Sequence, residues 1–248
     1  MDFERIVKAT LVMSAAGIIA IAAMYAPSVK VQANEQGSDD DLVEIGLRIA
    51  PDFLNLKGKD LKLVGLGSFI INAQADCNGC HTSDPANEYL PTNNPYFRPP
   101  NNRPAKYNRA TYLNGGQNFG PAGPGIVLDP NSPLFGGAGL GPNIISRNLT
   151  PDHTGNPEGG NDLRRFMTIM RTGHDFDKLH PDCGGSVTDN CYSAPVNGRL
   201  LQVMPWPLYR HMTDHQLTAI WTYLSAVPCN AHDDALGDKF PWLKNVCN

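Results

Sequence analysis

Five consecutive residues, Cys77-Asn78-Gly79-Cys80-His81, put two thiols in a C-x-x-C spacing with an imidazole directly after them. One chemistry needs all three groups in that order. Two thiols can add across the two vinyl groups of one porphyrin edge, and a two-residue gap on a helical turn lets both reach it. The next residue then stands under the iron and offers a ring nitrogen as proximal ligand. Gly79 keeps side-chain bulk away from a backbone that must lie close to a flat macrocycle. The expectation is one covalently bound haem c, attached through Cys77 and Cys80, with His81 on the iron. Three other readings use the same residues. A thioredoxin-like redox pair would follow a strand in a βαβ pattern, whereas a helical pattern precedes Cys77. Half of a zinc site would need a second C-x-x-C, which the chain lacks. The third is coincidence.

The first 33 residues bear on that choice. Arg5 and Lys8 form a positive start, Thr10 to Ala26 is apolar, and Val31-Gln32-Ala33 is a small-residue cleavage site. The stretch between Lys8 and Lys30 carries no charge and is also long enough for one membrane span. Residues 1–33 are therefore expected to be a signal peptide or membrane anchor. Either way the remainder is periplasmic or otherwise extracytoplasmic, where haem is attached to such motifs and disulfides persist. Beyond the haem pair, Cys183, Cys191, Cys229 and Cys247 form an even set. Two local bridges, Cys183–Cys191 and Cys229–Cys247, are the simplest of the three connectivities.

The elements that must position the site follow from periodicity. Residues 34–56, with Gly37 to Asp41 at their acidic start, read as a linker. From 57 to 230 runs the main domain, and 231–248 is a C-terminal tail. Asp60 to Asp76 has helical periodicity through Val64, Phe69, Ile70 and Ala73, interrupted by Gly65 and Gly67. Glycine in a helix costs about 1 kcal/mol, so close approach of another helix is the expected return. Residues 82–142 are a Pro/Gly/Asn-rich insert without periodicity. They are expected to wrap over the haem edge in turns pinned by Tyr89, Tyr96, Phe97, Tyr107, Tyr112, Phe119 and Phe135. Asn161 can cap a helix carrying Leu163, Phe166, Met167 and Met170 on one face, with Gly173 ending it. Met167 and Met170 then belong to the core, and His174 and His180 to the surface or to hydrogen bonds. Thr213-x-x-Gln216 is a capping box before Leu217, Ile220, Trp221 and Leu224, and Pro228 follows that helix.

These stretches resemble the mono-haem class I cytochromes c. That family begins with a helix ending in C-x-x-C-H, which crosses the last helix at a glycine and an aromatic residue. Gly67 and Phe69 are similar to those positions, with Trp221 expected near Gly67. Ser146 to Gly155, which reads SRNLTPDHTG, is similar to the NLTPD or NITPD stretch of the c-type cytochrome subunits of bacterial membrane dehydrogenases, where it lies beside the haem. The family also has a Met-Pro shortly before its last helix. Val203-Met204-Pro205-Trp206-Pro207 matches, and the two prolines prevent a helix there. The resemblance makes Met204 the second axial ligand, with Met212 its chief rival. Thioether sulfur suits haem iron, and Met/His ligation raises the reduction potential.

The expected fold is all-α, a class I cytochrome c arrangement of crossing helices around one haem plus the long insert. The expected function is one-electron transfer by an electron carrier rather than an enzyme, with redox proteins as donor and acceptor. The alternatives are an electron-transfer subunit of a membrane dehydrogenase or oxidase, and a haem-based gas sensor whose Met204 bond opens. A multi-haem conductor does not fit a single C-x-x-C-H. The net charge of -4 and the lack of a basic stripe argue against nucleic acid.

Overall fold

The computed structural model describes residues 35–96, 106–119, 144–176, 199–239 and 243–247. Among these the regular structure is helical. There is no β-strand, only isolated bridges at Tyr89–Tyr107, Asn118–Ile145 and His174–Leu200. This agrees with the all-α expectation. No helix among the described residues is long and apolar enough to cross a membrane. The candidate signal or anchor at 1–33, the Cys183–Cys191 bridge, His180, Phe97 and Phe135 lie outside the described residues.

The first helix, α1 (Glu35–Ile49), occupies most of the stretch expected to be a linker. Its glycine explains the difference. Gly46 is buried against the next helix, α2 (Leu61–Phe69), where Ser68 Oγ donates to Gly46 O at 2.7 Å. A Cβ on Gly65 would come within 2.6 Å of Val43 O. The two glycines let the backbones of α1 and α2 meet, so a sequence that looks loose is a close-packed pair.

Asp60 starts α2, accepting from the backbone N–H of Lys62 and Leu63. The helix does not run unbroken to Asp76 as its periodicity suggests. A π-turn at Ile70–Gln74 closes with Ala75 N donating to Ile70 O at 2.7 Å. This extra residue per turn leaves Ala73 exposed and buries Ile71 completely. A short helix, α3 (Cys77–His81), follows.

Further on, α4 (Leu163–Thr172) is capped by Asp162, whose side chain accepts from Arg165 N. Asn161, the expected cap, instead accepts from Trp221 Nε1 through its carbonyl at 3.0 Å. Gly173 ends α4 in the left-handed conformation, as expected. A short turn, α5 (Trp206–Tyr209), precedes α6 (Asp214–Leu224), which opens with the Thr213–Gln216 capping box.

The principal helix contact is α2 on α6. Gly67 is the close-approach point: a Cβ there would collide with Ala219 O and lie 2.7 Å from Tyr223 Cβ. The aromatic partner is therefore Tyr223, and not Trp221. Tyr223 and Ala219 are fully buried, whereas Trp221 is half-buried and faces Asn161. Phe69 is half-buried as well. Val64, Leu66, Ile70, Ile71, Leu217, Ile220, Tyr223 and Leu224 make the centre of the core, joined by Tyr112, Leu113 and Phe166.

The described insert packs differently from expectation. Tyr107 stacks on Tyr89 and meets Tyr112 at a tilt on the core side, and none of the three lines the cavity that holds His81; among the described residues, Phe119 is the one named aromatic that does. The tail is clipped back by the expected Cys229–Cys247 disulfide. A last short helix, α7 (Ala235–Lys239), lies between those cysteines.

Candidate functional site

Asp76 sets up α3. It sits in the left-handed region (φ 47°), and its carboxylate accepts from Gly79 N at 3.2 Å. A Cβ on Gly79 would stand 2.5 Å from Asp76 Oδ2. With the Asp76 carboxylate in this position, any Cβ between the two thiols would push the cap aside, a nearer cause for glycine than clearance for a macrocycle. Asn78, buried, donates to Glu88 Oε1 at 2.8 Å and accepts from Leu113 N at 2.8 Å. Those bonds fasten the C-x-x-C-H turn to the segment behind it.

The thiols are poorly suited to redox exchange. Burial, then the charges of Asp76 and Cys80, push the Cys77 thiol up to about 12. Burial and Asp76 raise Cys80 too. A thioredoxin-like pair needs a depressed thiol at a helix N-terminus, whereas here a carboxylate occupies that terminus. Among the described residues no three His, Cys, Asp or Glu side chains converge as metal ligands.

His81 is oriented by one bond. Its Nδ1–H donates to the Arg147 carbonyl at 2.8 Å, which leaves Nε2 as the ring nitrogen with a free lone pair. Burial holds the ring well below the ordinary histidine range, to about 4, against the pull of that hydrogen bond. The imidazole is therefore neutral near pH 7, the form that binds a metal. The same Arg147 extends its guanidinium to Asp175 at 2.5 Å, and both side chains are largely buried. The Ser146–Asp152 stretch thus does lie against the motif, and Leu149 lines the same cavity.

That cavity encloses about 1260 Å³, counting its open mouth. Its wall brings together Cys77, Cys80, His81 and Met204, the four residues the sequence nominates. The rest is mainly apolar, including Ile71, Leu149, Phe166, Ile169, Ile220 and Leu224. Met204 arrives through a pinned loop. Asp175 N donates to Arg199 O and Leu201 N to Gly173 O, each at 2.7 Å. Trp206 Nε1 donates to Leu201 O at 3.2 Å while its ring lies against Gly173, where no Cβ would fit. Val203, at φ +66°, makes the turn before Met204.

Two further sulfurs line the cavity. Met212 does so from the turn before α6, and Met170 from α4, where the helical pattern assigns it only to the core. Met167 is half-buried against the core without lining the cavity. His174 is away from the wall, its ring edge-on to Phe176 at 4.5 Å. Sequence reasoning missed Arg147, Tyr209 and Asp76 as cavity residues. Arg147 acts on His81 through a carbonyl, which no residue type signals. Tyr209 lines the wall and donates to Ala75 O at 3.2 Å; its place one turn after Met204-Pro205 was the available signal.

The residues fit a haem by their chemistry: two neutral thiols on one turn, a neutral imidazole with one nitrogen engaged and one free, thioether sulfur, and an apolar lining. No known family, no curated protein and no solved structure matches this chain.

Proposed function

We propose that this chain is a mono-haem class I cytochrome c that carries single electrons between redox proteins outside the cytoplasm. One observation carries the reading: Met204, remote in the chain from the Cys77–His81 motif, lines the same mainly apolar cavity as Cys77, Cys80 and His81. The haem, when bound, supplies an iron that cycles between ferric and ferrous states. Cys77 and Cys80 fix it covalently on α3. The Arg147 carbonyl holds His81 in the tautomer that presents Nε2. Met204 would offer the iron its second protein ligand, a thioether sulfur, from a loop pinned at Gly173 and Leu201. Ile71, Leu149, Ile220 and Leu224 exclude water. In this reading α2 and α6 are the crossing first and last helices of the class I arrangement, and Gly67 and Tyr223 mark the crossing. The disulfide Cys229–Cys247 suits an oxidising compartment.

The test is covalency. Protein matured in a host with a haem-attachment system should retain one haem per chain through acid-acetone extraction, and Cys77→Ala or Cys80→Ala should weaken or abolish that. Haem that washes out of the wild type overturns the proposal. A second reading, an electron-transfer subunit of a membrane dehydrogenase, is favoured by the Ser146–Asp152 stretch, whose Arg147 holds His81. Co-purification with a flavin- or quinone-dependent enzyme separates it from a free shuttle.

A further inference from the structure

The supports of His81 and Met204 meet at one residue. Asp175 stands two residues beyond Gly173, where α4 ends. Its backbone N–H donates to Arg199 O, and Leu201 N donates to Gly173 O, each at 2.7 Å. Between those two bonds His174 and Leu200 form an antiparallel bridge. Residues 173–175 are thus paired with 199–201, which end three residues before Met204. The Asp175 side chain turns to the other support. Its Oδ1 accepts from Arg147 Nη2 at 2.5 Å, and the carbonyl of the same Arg147 accepts from His81 Nδ1 at 2.8 Å. Asp175, Arg147, Leu200 and Leu201 line the same cavity as His81 and Met204.

Stability alone does not explain the pair. Both side chains are largely buried. Taking two charges out of water costs about what their attraction returns, so apolar side chains often hold a fold as well or better. What an apolar contact lacks is direction. A guanidinium bonded to a carboxylate fixes the register of two segments, whereas side chains that merely touch let them slide.

We infer that Asp175 is a positioning residue whose carboxylate ties the support of His81 to the loop of Met204, so that the two candidate iron ligands are held as one unit. The inference rests on the haem reading above. Each support is also held within its own surroundings. Gly116 N donates to Ser146 O beside Arg147, and Trp206 Nε1 donates to Leu201 O before Met204. The Arg147–Asp175 pair joins the one to the other. Without this carboxylate the Arg147 guanidinium turns toward water and pulls on the backbone that holds His81. The 173–175 segment is released from the wall at the same time. Met204 then sits on a loop whose distance from His81 is no longer set.

The experiment uses the holoprotein, with haem content measured first. Wild type, Asp175→Ala and Asp175→Asn are compared by three readouts: the weak sulfur-to-iron band of the ferric form, carbon monoxide binding to the ferrous form, and the reduction potential. Asp175→Ala should lose the band, admit carbon monoxide and lower the potential, because thioether ligation raises it. Asp175→Asn keeps an oxygen that accepts from Arg147 but drops the negative charge. It should retain the band, exclude carbon monoxide and raise the potential above the wild type, since a carboxylate near the iron favours the ferric state. A residue that only filled space would not shift the potential in opposite directions. If Asp175→Ala does not fold, the Arg147→Met/Asp175→Ala double variant replaces it. That variant strands no buried charge and keeps the carbonyl at position 147, and it should likewise lose the band and admit carbon monoxide. A haem-loaded Asp175→Ala or double variant that keeps the band and excludes carbon monoxide as the wild type does overturns the tie. So does an Asp175→Asn protein that loses the band, because the hydrogen bond would then not be what holds the ligands. A chain without covalent haem overturns both proposals.

Discussion

His81 is held by an atom that no substitution of Arg147 removes, since its acceptor is the backbone carbonyl. That is why the sequence announces Cys77, Cys80 and His81 but says nothing of their support. A covalent spacing is written in residue types, whereas a carbonyl belongs to every residue. Met204 was legible through the Met-Pro that follows the family pattern, and Met212 as its rival; Met170, the third sulfur of this kind on the wall, was not, because a helical stripe accounts for it. The three can be ranked by experiment. On the haem proposal, Met204→Ala should abolish the weak sulfur-to-iron absorption band of the ferric protein, lower the potential and admit carbon monoxide to the ferrous form; Met212→Ala and Met170→Ala should leave the band in place. Loss of the band in either of those two instead would reassign the ligand. Glu88 gives a pH prediction at the same scale. Burial raises its pKa above the usual 4.5, partly countered by the Asn78 hydrogen bond and reinforced by Asp76. The native state then holds this proton more tightly than the unfolded chain. Stability from this group is greatest below about 4.5 and declines as pH rises through the raised value. Gln at this position can still accept from Asn78 and carries no charge. Glu88→Gln should flatten that decline in urea midpoints measured from pH 4 to 7, and an unchanged slope would show that another group causes it.

At the scale of elements, glycine does the positioning. Gly46 and Gly65 join α1 to α2, and Gly67 joins α2 to α6. In sequence a glycine among acidic residues reads as loose linker, and the same residue inside a helix reads as weakness. Only the partner distinguishes these from close packing, and partners are not written along the chain. The capping box of α6 was legible because both its bonds are local, Thr213 N to Gln216 Oε1 at 2.9 Å and Gln216 N to Thr213 Oγ1 at 3.1 Å. The crossing residue was not. Trp221 is the largest apolar side chain on that helix, but Ala219 and Tyr223 share the face that meets Gly67. Gly67→Ala should therefore force α2 and α6 apart, costing about 3 kcal/mol and loosening the cavity wall at Ile71 and Ile220. Gly65→Ala should disturb α1 instead, since Val43 is its neighbour, and leave the cavity intact. Urea midpoints with haem retention as a second readout check the contrast. Equal damage to haem retention by both would mean that α1 supports the site as much as α6 does.

Over the whole molecule, the tail closes the structure behind the site. Cys229–Cys247 joins residues 18 apart in sequence, and the enclosed segment is bonded back to the turn that carries Arg147. Asn148 Nδ2 donates to Asn230 O and to Leu243 O, each at 2.9 Å. Asn245 Nδ2 donates to Thr150 O at 2.8 Å, and Leu243 is fully buried. The buried His232 reaches Asn114 O with Nε2 at 2.6 Å, beside Gly115, whose N–H donates to His81 O at 2.8 Å. Disulfide, asparagine turn and His81 thus form one mechanical series, although Cys247 lies outside the cavity wall. Closing a loop of this size stabilises by about 3 kcal/mol in the chain-entropy account. The Cys229→Ser/Cys247→Ser double variant should lose about that much in urea unfolding. On the haem proposal it should still attach haem, because Cys77 and Cys80 are untouched. The loss should also be local. Amide exchange at Thr150 and His153, whose N–H groups donate to Asn148 Oδ1 and Val246 O, should quicken before that of Leu217 or Ile220 in the core. Exchange that rises evenly across the chain would show that the bridge stabilises only by shortening the unfolded chain. A double variant as stable as the parent would show that Leu243 and the asparagine bonds hold the tail without it.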